Sequence, residues 1–256
     1  MIANAHQSEH VSLLSIRDIS VQFGGLLALN AVNLDVNAGA RYGILGPNGA
    51  GKTTLFNAIS GFVDPSKGEI KLNSKKLDGL PSHERVLRGL SRTFQITTLF
   101  PELSVLENVL MAAQVDAGKH QVFWRAANSH KEVMQRVEAQ LVDLNLSRLA
   151  LSTVSALSYG EQRLLEIAVA LASKPSVLLL DEPTAGLSAA EMRSVVDLIL
   201  KLPQDLTIVL IEHDLDVVFD VSEELSVLHF GNMIAQGPAS QIREDPLVRE
   251  VYLGEA

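Results

Sequence analysis

The sequence predicts an α/β fold with a mostly parallel core sheet, and three observations support this prediction. Strand-like and helix-like segments alternate along most of the chain, as they do in repeated βαβ units. One strand-like segment, VLLL at 177–180, is a continuous apolar run, which is typical of a parallel strand buried on both faces, and TIVLIE at 207–212 predicts the next strand. A third strand, RYGIL at 41–45, leads directly into a glycine-rich loop and a helix.

The N-terminal part of the chain predicts an antiparallel β subdomain. Residues 13–25 show strand-like alternation, and residues 31–47 supply two further strands around an Asn-Ala-Gly turn. Residues 52–61, KTTLFNAISG, predict a helix that ends at Gly61, because glycine readily adopts the left-handed conformation after a last helical turn. Residues 68–77 then predict an edge hairpin.

The middle of the chain predicts a helical subdomain inserted into the α/β domain. Residues 104–113 have a helical pattern, and the following helix carries one apolar stripe, formed by Val133, Val137, Leu141 and Leu144. We therefore expect residues 1–10 to form a flexible tail and residues 11–256 to form one domain. The helical subdomain is expected at about 97–160.

Two capping boxes mark the starts of later helices. In LSYGEQ, at 157–162, Ser158 can cap a helix while Glu161, three residues later, completes the box. Ser188 and Glu191 repeat the pattern after the VLLL strand. Taken alone, LSYGEQ is explained best as the start of a helix. Residues 225–230, LSVLHF, and 231–237, GNMIAQG, predict the last two strands.

Composition and charge exclude several classes of protein. A chain of 256 residues with 47% hydrophobic residues is long enough to bury a large core. The net charge of −9 argues against general nucleic-acid binding, which needs a surplus of lysine and arginine on one face. The absence of cysteine excludes disulfides and thiolate metal sites. We expect a cytosolic chain, since neither a signal peptide nor an apolar run of about 20 residues is present.

The loop GPNGAGKT at 46–53 matches the phosphate-loop pattern G-x-x-x-x-G-K-[ST]. Its glycines allow backbone N–H groups to face phosphates, and the helix that follows adds the partial positive charge of its N-terminus. Lys52 is expected to reach the β- and γ-phosphates, and Thr53 to offer a hydroxyl to Mg²⁺. The alternative is an ordinary glycine-rich turn, which the strand before the loop and the helix after it disfavour.

Polar residues at the ends of the predicted parallel strands complete a candidate site. Asp181 leaves the VLLL strand at its carboxyl end, where α/β sheets bind ligands, and is expected to hold Mg²⁺. Glu182 could orient or deprotonate an attacking water. His213 follows another strand and could donate to the γ-phosphate, although a lone histidine is usually structural. Gln95 is expected to contact Mg²⁺ or the attacking water, and is weakly supported when taken alone.

These motifs together resemble an ABC-transporter ATPase subunit. GPNGAGKTT, TFQ, LSYGEQ, VLLLDEP and the histidine of IEHD occur in that family's order and spacing over nearly the whole chain. LSYGEQ is the most discriminating motif, because P-loop kinases and GTPases lack it. The resemblance implies a P-loop NTPase fold with ATP and Mg²⁺ as cofactors.

The resemblance also assigns roles to individual residues. It implies catalytic roles for Glu182, His213 and Gln95, and Mg²⁺ ligation by Thr53, Gln95 and Asp181. Phe23 matches the aromatic residue that stacks on adenine; the alternative is a phenylalanine in a strand core. The residues expected to contact nucleotide are Phe23, Gly46, Pro47, Asn48, Gly49, Ala50, Gly51, Lys52, Thr53, Thr54, Ser158 and Gly160.

Two departures from the family pattern concern the predicted dimer contacts. Tyr159 and Glu161 replace the more common glycine and glutamine of the signature, and Ser188 stands where the loop at 184–188 often carries aspartate. A glutamate beside a triphosphate is electrostatically unfavourable unless it points away, as a capping-box glutamate would. The role of the 184–188 loop in communication between the two nucleotide sites therefore stays open.

The resemblance further implies partners and a location. Two ATPase subunits pack head to tail, so that Ser158 and Gly160 contact an ATP held by the partner, and the pair sits beneath transmembrane permease subunits served by a substrate-binding protein. We therefore expect a peripheral protein on the cytoplasmic face of the inner membrane, with no nucleic acid bound. The chain looks most like the importer subunits for branched-chain amino acids. Urea or amide importers, a lipopolysaccharide-export ATPase and a soluble ABC ATPase of an assembly complex remain alternatives.

Overall fold

The computed structural model describes residues 12–93, 99–116 and 127–253. These residues form ten β-strands: β1 (Leu14–Phe23), β2 (Leu26–Val36), β3 (Arg41–Leu45), β4 (Lys67–Leu72), β5 (Lys75–Lys76), β6 (Leu90–Arg92), β7 (Val177–Asp181), β8 (Thr207–Ile211), β9 (Glu224–His229) and β10 (Asn232–Pro238). The same ranges contain nine α-helices: α1 (Lys52–Ser60), α2 (Ser82–Leu87), α3 (Val105–Asp116), α4 (Ala127–Asp143), α5 (Tyr159–Leu171), α6 (Ala189–Lys201), α7 (Leu215–Val221), α8 (Ala239–Glu244) and α9 (Pro246–Leu253). None of these helices is long and apolar enough to cross a bilayer.

The strands form two sheets of different character. The first is antiparallel, with the order β2-β1-β4-β5. The second has the order β10-β9-β3-β8-β7-β6 and is parallel except for β10. Both sheets agree with the predicted architecture, namely an antiparallel N-terminal subdomain and a mostly parallel core sheet.

The core strands are apolar throughout because both of their faces are buried. In β7, Val177 and Leu179 pack with the antiparallel sheet and α1, whereas Leu178 and Leu180 pack with α5 and α6. All four side chains are completely buried. The continuous apolar run therefore serves two hydrophobic cores, one on each side of the sheet.

The turn at 37–39 connects the two sheets and does not close a hairpin between its flanking strands. β2 pairs only with β1, whereas β3 lies at the centre of the parallel sheet between β8 and β9. The backbone N–H of Gly39 donates to the Thr207 hydroxyl at 2.8 Å, which fixes the turn against the start of β8. The chain thus enters the core sheet at the strand that leads into the glycine-rich loop.

The described residues in the middle of the chain are mainly helical, and the apolar stripe of α4 faces a core. Val137, Leu141 and Leu144 are buried in one cluster with residues of α3 and α5, and Val133 packs against that cluster. Four short elements were not predicted from the sequence, namely β6, α2, α8 and α9. Each has at most eight residues, which is too short to display a clear hydrophobic period.

Candidate active site

The register of the parallel strands brings the predicted polar residues to one edge of the core sheet. Ile44 of β3 lies opposite Ile211 of β8, and Ile211 lies opposite Asp181 of β7. The residues that follow these positions therefore leave the sheet side by side. They are the glycine-rich loop after β3, Glu182 after β7, and Glu212 with His213 after β8. This edge is the carboxyl end of the strands, where α/β sheets bind ligands.

The glycine-rich loop follows a path that side chains at two of its glycines would block. A Cβ at Gly46 would lie 2.3 Å from the Leu228 carbonyl oxygen, and a Cβ at Gly51 would lie 2.8 Å from the Ala28 carbonyl oxygen. Gly51 also has a φ of 106°, which L-residues rarely adopt. The loop is therefore held between β2 and β9 directly before the first turn of α1.

Lys52 points back into the loop. Its Nζ donates to the carbonyl oxygens of Gly46 at 2.5 Å and Pro47 at 3.1 Å, and the residue is only 6% exposed. Burial lowers the pKa of Lys52 below 10.5, and the negative charges of nearby carboxylates, Glu182 first, partly offset this shift. The lysine thus lies within electrostatic reach of Asp181 and Glu182.

Asp181 is almost fully buried, at 1% exposure, and its two oxygens have different surroundings. Oδ2 accepts a hydrogen bond from Arg92 Nη2 at 2.6 Å. Oδ1 is buried and has no hydrogen-bond partner. Arg92 also donates to Asn57 Oδ1 at 2.8 Å and Ser60 Oγ at 2.9 Å, which holds its guanidinium against α1. One oxygen of Asp181 is therefore fixed, and the other can accept a ligand.

Glu182 has a backbone conformation that is unusual for a non-glycine residue. Its φ is 46°, and its N–H donates to the Ile211 carbonyl at 2.9 Å. Positive φ at such a residue costs about 1–3 kcal/mol and is concentrated at functional sites. The conformation turns the chain out of β7 directly after Asp181.

His213 is joined to a buried carboxylate that the sequence analysis did not identify. The His213 side chain is 58% exposed, and its Nδ1 lies 3.5 Å from Glu212 Oε2. Glu212 is fully buried, and its Oε1 accepts from the Thr184 N–H at 2.8 Å and the Thr184 hydroxyl at 2.6 Å. Glu212 thus ties the start of the 184–188 loop to the histidine.

The start of α5 confirms the capping box that LSYGEQ predicts. The Ser158 hydroxyl accepts from the Glu161 N–H at 3.2 Å, and Glu161 Oε2 accepts from the Ser158 N–H at 3.0 Å. Glu161 Oε1 accepts from Arg148 at 3.2 Å. Both oxygens of Glu161 are therefore engaged within its own subunit, which agrees with a glutamate that does not face a triphosphate.

The remaining signature residues contact the chain around the 184–188 loop. The Gly160 N–H donates to Glu191 Oε1 at 3.2 Å. The Tyr159 hydroxyl accepts from Arg163 Nη2 at 2.8 Å, and a Cβ at Gly186 would lie 3.3 Å from the Tyr159 ring. The Tyr159 ring therefore lies beside this loop, while its hydroxyl is held by Arg163.

Phe23, the predicted adenine contact, lies outside this row of strand ends. Phe23 is 50% exposed at the end of β1, so the alternative of a phenylalanine in a strand core is wrong. β2 returns from that turn past the glycine-rich loop, where the Ala28 carbonyl lies beside Gly51. Gln95 lies outside the described residues.

The comparisons with known proteins identify the family. The profile of the ABC transporter family matches residues 29–185. The chain belongs to the ABC transporter family. A second profile, described as "Branched-chain amino acid ATP-binding cassette transporter", matches residues 232–256 of this ABC ATPase.

Individual relatives agree with this assignment. The ABC ATPase is 40% identical over 254 residues to the high-affinity branched-chain amino acid transport ATP-binding protein BraF of Pseudomonas aeruginosa, with 95% of this chain and 98% of BraF covered. Among solved structures it is similar to an ATP-binding cassette of an ABC transporter in its ADP conformation, with a TM-score of 0.82, 31% identity, and coverage of 95% of this chain and 99% of that chain. The family and these relatives establish a nucleotide-binding subunit that hydrolyses ATP.

A dimeric relative is also informative. The ABC ATPase resembles a cassette whose structure is described as a dimeric post-hydrolysis state bound to ADP and phosphate. The TM-score is 0.72 at 26% identity, and the match covers 88% of this chain and 98% of that chain.

Sequence reasoning missed three charged residues that organise the site. Arg92 pairs with Asp181, Glu212 binds Thr184 and His213, and Glu191 contacts Gly160. Glu212 carried a signal, because it is an acidic residue that ends an apolar strand next to the predicted histidine. Glu191 was recognised as a capping residue only. Arg92 stands just before the TFQ motif, and nothing nearby in the sequence indicates its partner 89 residues later.

Proposed function

We propose that this ABC ATPase powers the import of branched-chain or other amino acids. The row of loop 46–53, Asp181, Glu182 and His213 at one sheet edge, together with the exposed start of α5, is the observation that supports ATP-driven work. The substrate class is supported by the similarity to BraF and by the C-terminal profile match at 232–256.

In this proposal the phosphates of ATP bind to the loop and to the first turn of α1. The backbone N–H groups of residues 46 and 48–54 face the phosphates, and Lys52 exchanges the carbonyl oxygens of Gly46 and Pro47 for the β- and γ-phosphate oxygens. This exchange replaces two neutral acceptors with charged ones, which bind an ammonium group more strongly. Phe23 stacks on the adenine ring, since its exposed ring is available for that contact.

The residues at the strand ends fit Mg²⁺. Asp181 offers Oδ1, a buried carboxylate oxygen without a hydrogen-bond partner, and Thr53 is exposed beside Lys52 at the start of α1. Mg²⁺ in nucleotide sites is commonly held by one or two protein oxygens together with phosphate and water. When bound, the ion neutralises charge on the phosphates. The predicted contact of Gln95 with Mg²⁺ belongs to the same proposal.

Hydrolysis needs a base that accepts a proton from the attacking water. Glu182 is proposed as this base, because its carboxylate leaves the strand next to Asp181 and within electrostatic reach of Lys52. His213 is proposed to donate a hydrogen bond to the γ-phosphate, with Nδ1 directed toward Glu212 and Nε2 available outward. Glu212 positions both His213 and the 184–188 loop.

The signature is proposed to act on the ATP of a second subunit. Two ATPase subunits pack head to tail, and the Ser158 hydroxyl and the Gly160 N–H contact the γ-phosphate of the ATP held by the partner. The first turn of α5 is suited to this contact because its N–H groups have no backbone acceptor within the helix and the helix dipole favours anions. The dimeric relative bound to ADP and phosphate supports the pairing of two such subunits.

The import role requires transmembrane permease subunits and, indirectly, a substrate-binding protein. The ATPase pair would then be peripheral on the cytoplasmic face of the membrane. A groove between α2, α3 and α5, lined in part by Phe62, Val86, Ala112 and Val169, is a suitable surface for a permease helix. Phe62 is 53% exposed there, as expected for an apolar residue that a partner covers.

Affinity purification from gently solubilised native membranes tests the transport role. Permease subunits with many membrane spans would support it, and their identity would separate amino-acid import from urea or amide import and from lipopolysaccharide export. A soluble complex without a membrane chain would instead favour an assembly ATPase.

A Glu182→Gln variant tests the chemistry separately. We expect it to bind ATP and accumulate as an ATP-bound dimer, with turnover about 10²–10⁴-fold lower because the general base is lost. ATPase activity and size-exclusion chromatography measure both effects. Normal turnover would reject Glu182 as the base.

A further inference from the structure

Glu191 joins the two segments of the ABC ATPase that are proposed to face a partner subunit. Its Oε2 accepts from the Ser188 N–H at 3.1 Å and the Ser188 hydroxyl at 2.7 Å, at the end of the 184–188 loop. Its Oε1 accepts from the Gly160 N–H at 3.2 Å, in the signature. The carboxylate of Glu191 therefore links the end of this loop to a residue 31 positions before Glu191 in the chain.

Comparison with two other capping boxes shows that the contact between Glu191 Oε1 and Gly160 is not needed to cap α6. Glu107 uses Oε2 to accept from the Ser104 N–H at 2.8 Å, and Glu161 uses Oε2 to accept from the Ser158 N–H at 3.0 Å. A single oxygen is thus sufficient for a capping box. The second oxygen of Glu161 accepts from the exposed Arg148, whereas the second oxygen of Glu191 occupies a backbone donor on another helix.

The contact depends on glycine at position 160. A Cβ at Gly160 would lie 2.7 Å from Glu191 Cγ and 2.8 Å from Glu191 Oε1, so any side chain would push the carboxylate away. The Gly160 N–H belongs to the first turn of α5 and has no acceptor within that helix. A carboxylate in this position satisfies the N–H group and interacts favourably with the helix dipole.

We propose that Glu191 occupies the Gly160 amide in the open subunit as a substitute for the γ-phosphate, and releases it when the partner's ATP arrives. This inference rests on the proposed function, in which the Gly160 N–H contacts that phosphate. One N–H group cannot serve both anions at full strength, and the negative charges of the carboxylate and the phosphate repel each other. ATP must therefore displace Glu191 Oε1.

Displacement of Glu191 Oε1 by the partner's ATP also affects the 184–188 loop. Glu191 Oε2 stays bonded to Ser188, so a rotation of the carboxylate pulls on the end of the loop whose start is fixed by Glu212 at Thr184. Glu191 thus connects this loop directly to the Gly160 N–H, which is proposed to contact the partner's ATP. The loop has this connection even though it carries Ser188 where aspartate is common. Glu191 is a positioning residue, which sets how much ATP is needed to close the pair.

A Glu191→Gln substitution tests this role. Glutamine also completes a capping box, so α6 should keep its start, while the charge that competes with phosphate is lost. In a Glu182→Gln background, we expect the ATP concentration for half-maximal dimer formation to fall about three- to tenfold, because charged acceptors bind roughly twice as strongly as neutral ones. The chain is mixed with Mg²⁺-ATP and with whichever ATPase subunit co-purifies with it.

The matched control is Glu107→Gln, which removes one charge from a capping box on α3. It should leave the ATP dependence unchanged. In protein with ¹⁵N-labelled glycine and no nucleotide, the Gly160 amide resonance should move in Glu191→Gln and stay in place in Glu107→Gln.

Each result has a defined meaning. A lower ATP requirement in Glu191→Gln alone supports the proposal. An equal or higher ATP requirement, or an unmoved Gly160 resonance, overturns it and leaves the proposed function intact. If the Glu182→Gln chain forms no ATP-dependent dimer with itself or with the co-purifying subunit, the proposed function fails and this inference fails with it.

Discussion

Arg92→Met should destabilise the ABC ATPase far more than the loss of a surface ion pair. The substitution keeps an extended apolar side chain and removes the guanidinium that binds Asp181 Oδ2 at 2.6 Å. The side chains of Arg92 and Asp181 are 6% and 1% exposed, so the variant leaves a buried carboxylate without its cation. The hydrogen bonds from Arg92 to Asn57 and Ser60 are lost as well.

The expected loss follows from this burial. Removing one partner of a buried ion pair typically lowers the free energy of unfolding by about 3–5 kcal/mol, because the remaining charge stays desolvated. We expect a value near the lower end, about 3 kcal/mol, since the Lys52 charge also acts on Asp181. For a chain of this size that corresponds to a decrease in Tm of roughly 6–12 °C.

The exposed pair formed by Arg17 and Asp35 provides the control. Arg17 binds both carboxylate oxygens of Asp35 at 2.8 and 2.7 Å, but the two side chains are 44% and 50% exposed. Arg17→Met should therefore cost at most about 1 kcal/mol. Thermal and urea unfolding measure both variants. An equal decrease in the free energy of unfolding in the two variants would refute the claim that burial makes the Arg92–Asp181 pair more stabilising than the exposed pair.

Three further predictions address the site. Lys52→Ala should lower nucleotide affinity at least about tenfold, because charge-assisted hydrogen bonds to the phosphates are lost; unchanged affinity in a nucleotide titration would reject the phosphate-loop assignment. Glu212→Gln should lower both kcat and the free energy of unfolding, because a fully buried acceptor for Thr184 is weakened. The free energy of unfolding should fall by about 1–3 kcal/mol. ATPase assays and urea denaturation check this, and a variant equal to wild type would show that Glu212 is dispensable. Phe23→Ala should raise the KM for ATP about fivefold or more with little change in kcat, since stacking on a base contributes about 1–3 kcal/mol; an unaltered KM would exclude stacking.

Local signals in the sequence determined the elements and most of the proposed site residues. The phosphate loop is recognisable because its glycines, lysine and threonine follow one another between a strand and a helix. The capping boxes at Ser158 and Ser188 are recognisable because a helix start needs an acceptor and a returning carboxylate three residues apart. The apolar run of β7 indicated burial on both faces, which the two cores confirm.

Only the tertiary structure decided which of these segments meet. Strand register places Asp181 beside Ile211, and so beside Glu212 and His213, because parallel pairing depends on the whole sheet. Arg92 reaches Asp181 across 89 positions, and Glu191 reaches Gly160 across 31. Capping residues act over three or four positions and leave a sequence pattern. A charge that pairs with a distant segment leaves none, since its partner is chosen by the packing of helices and strands.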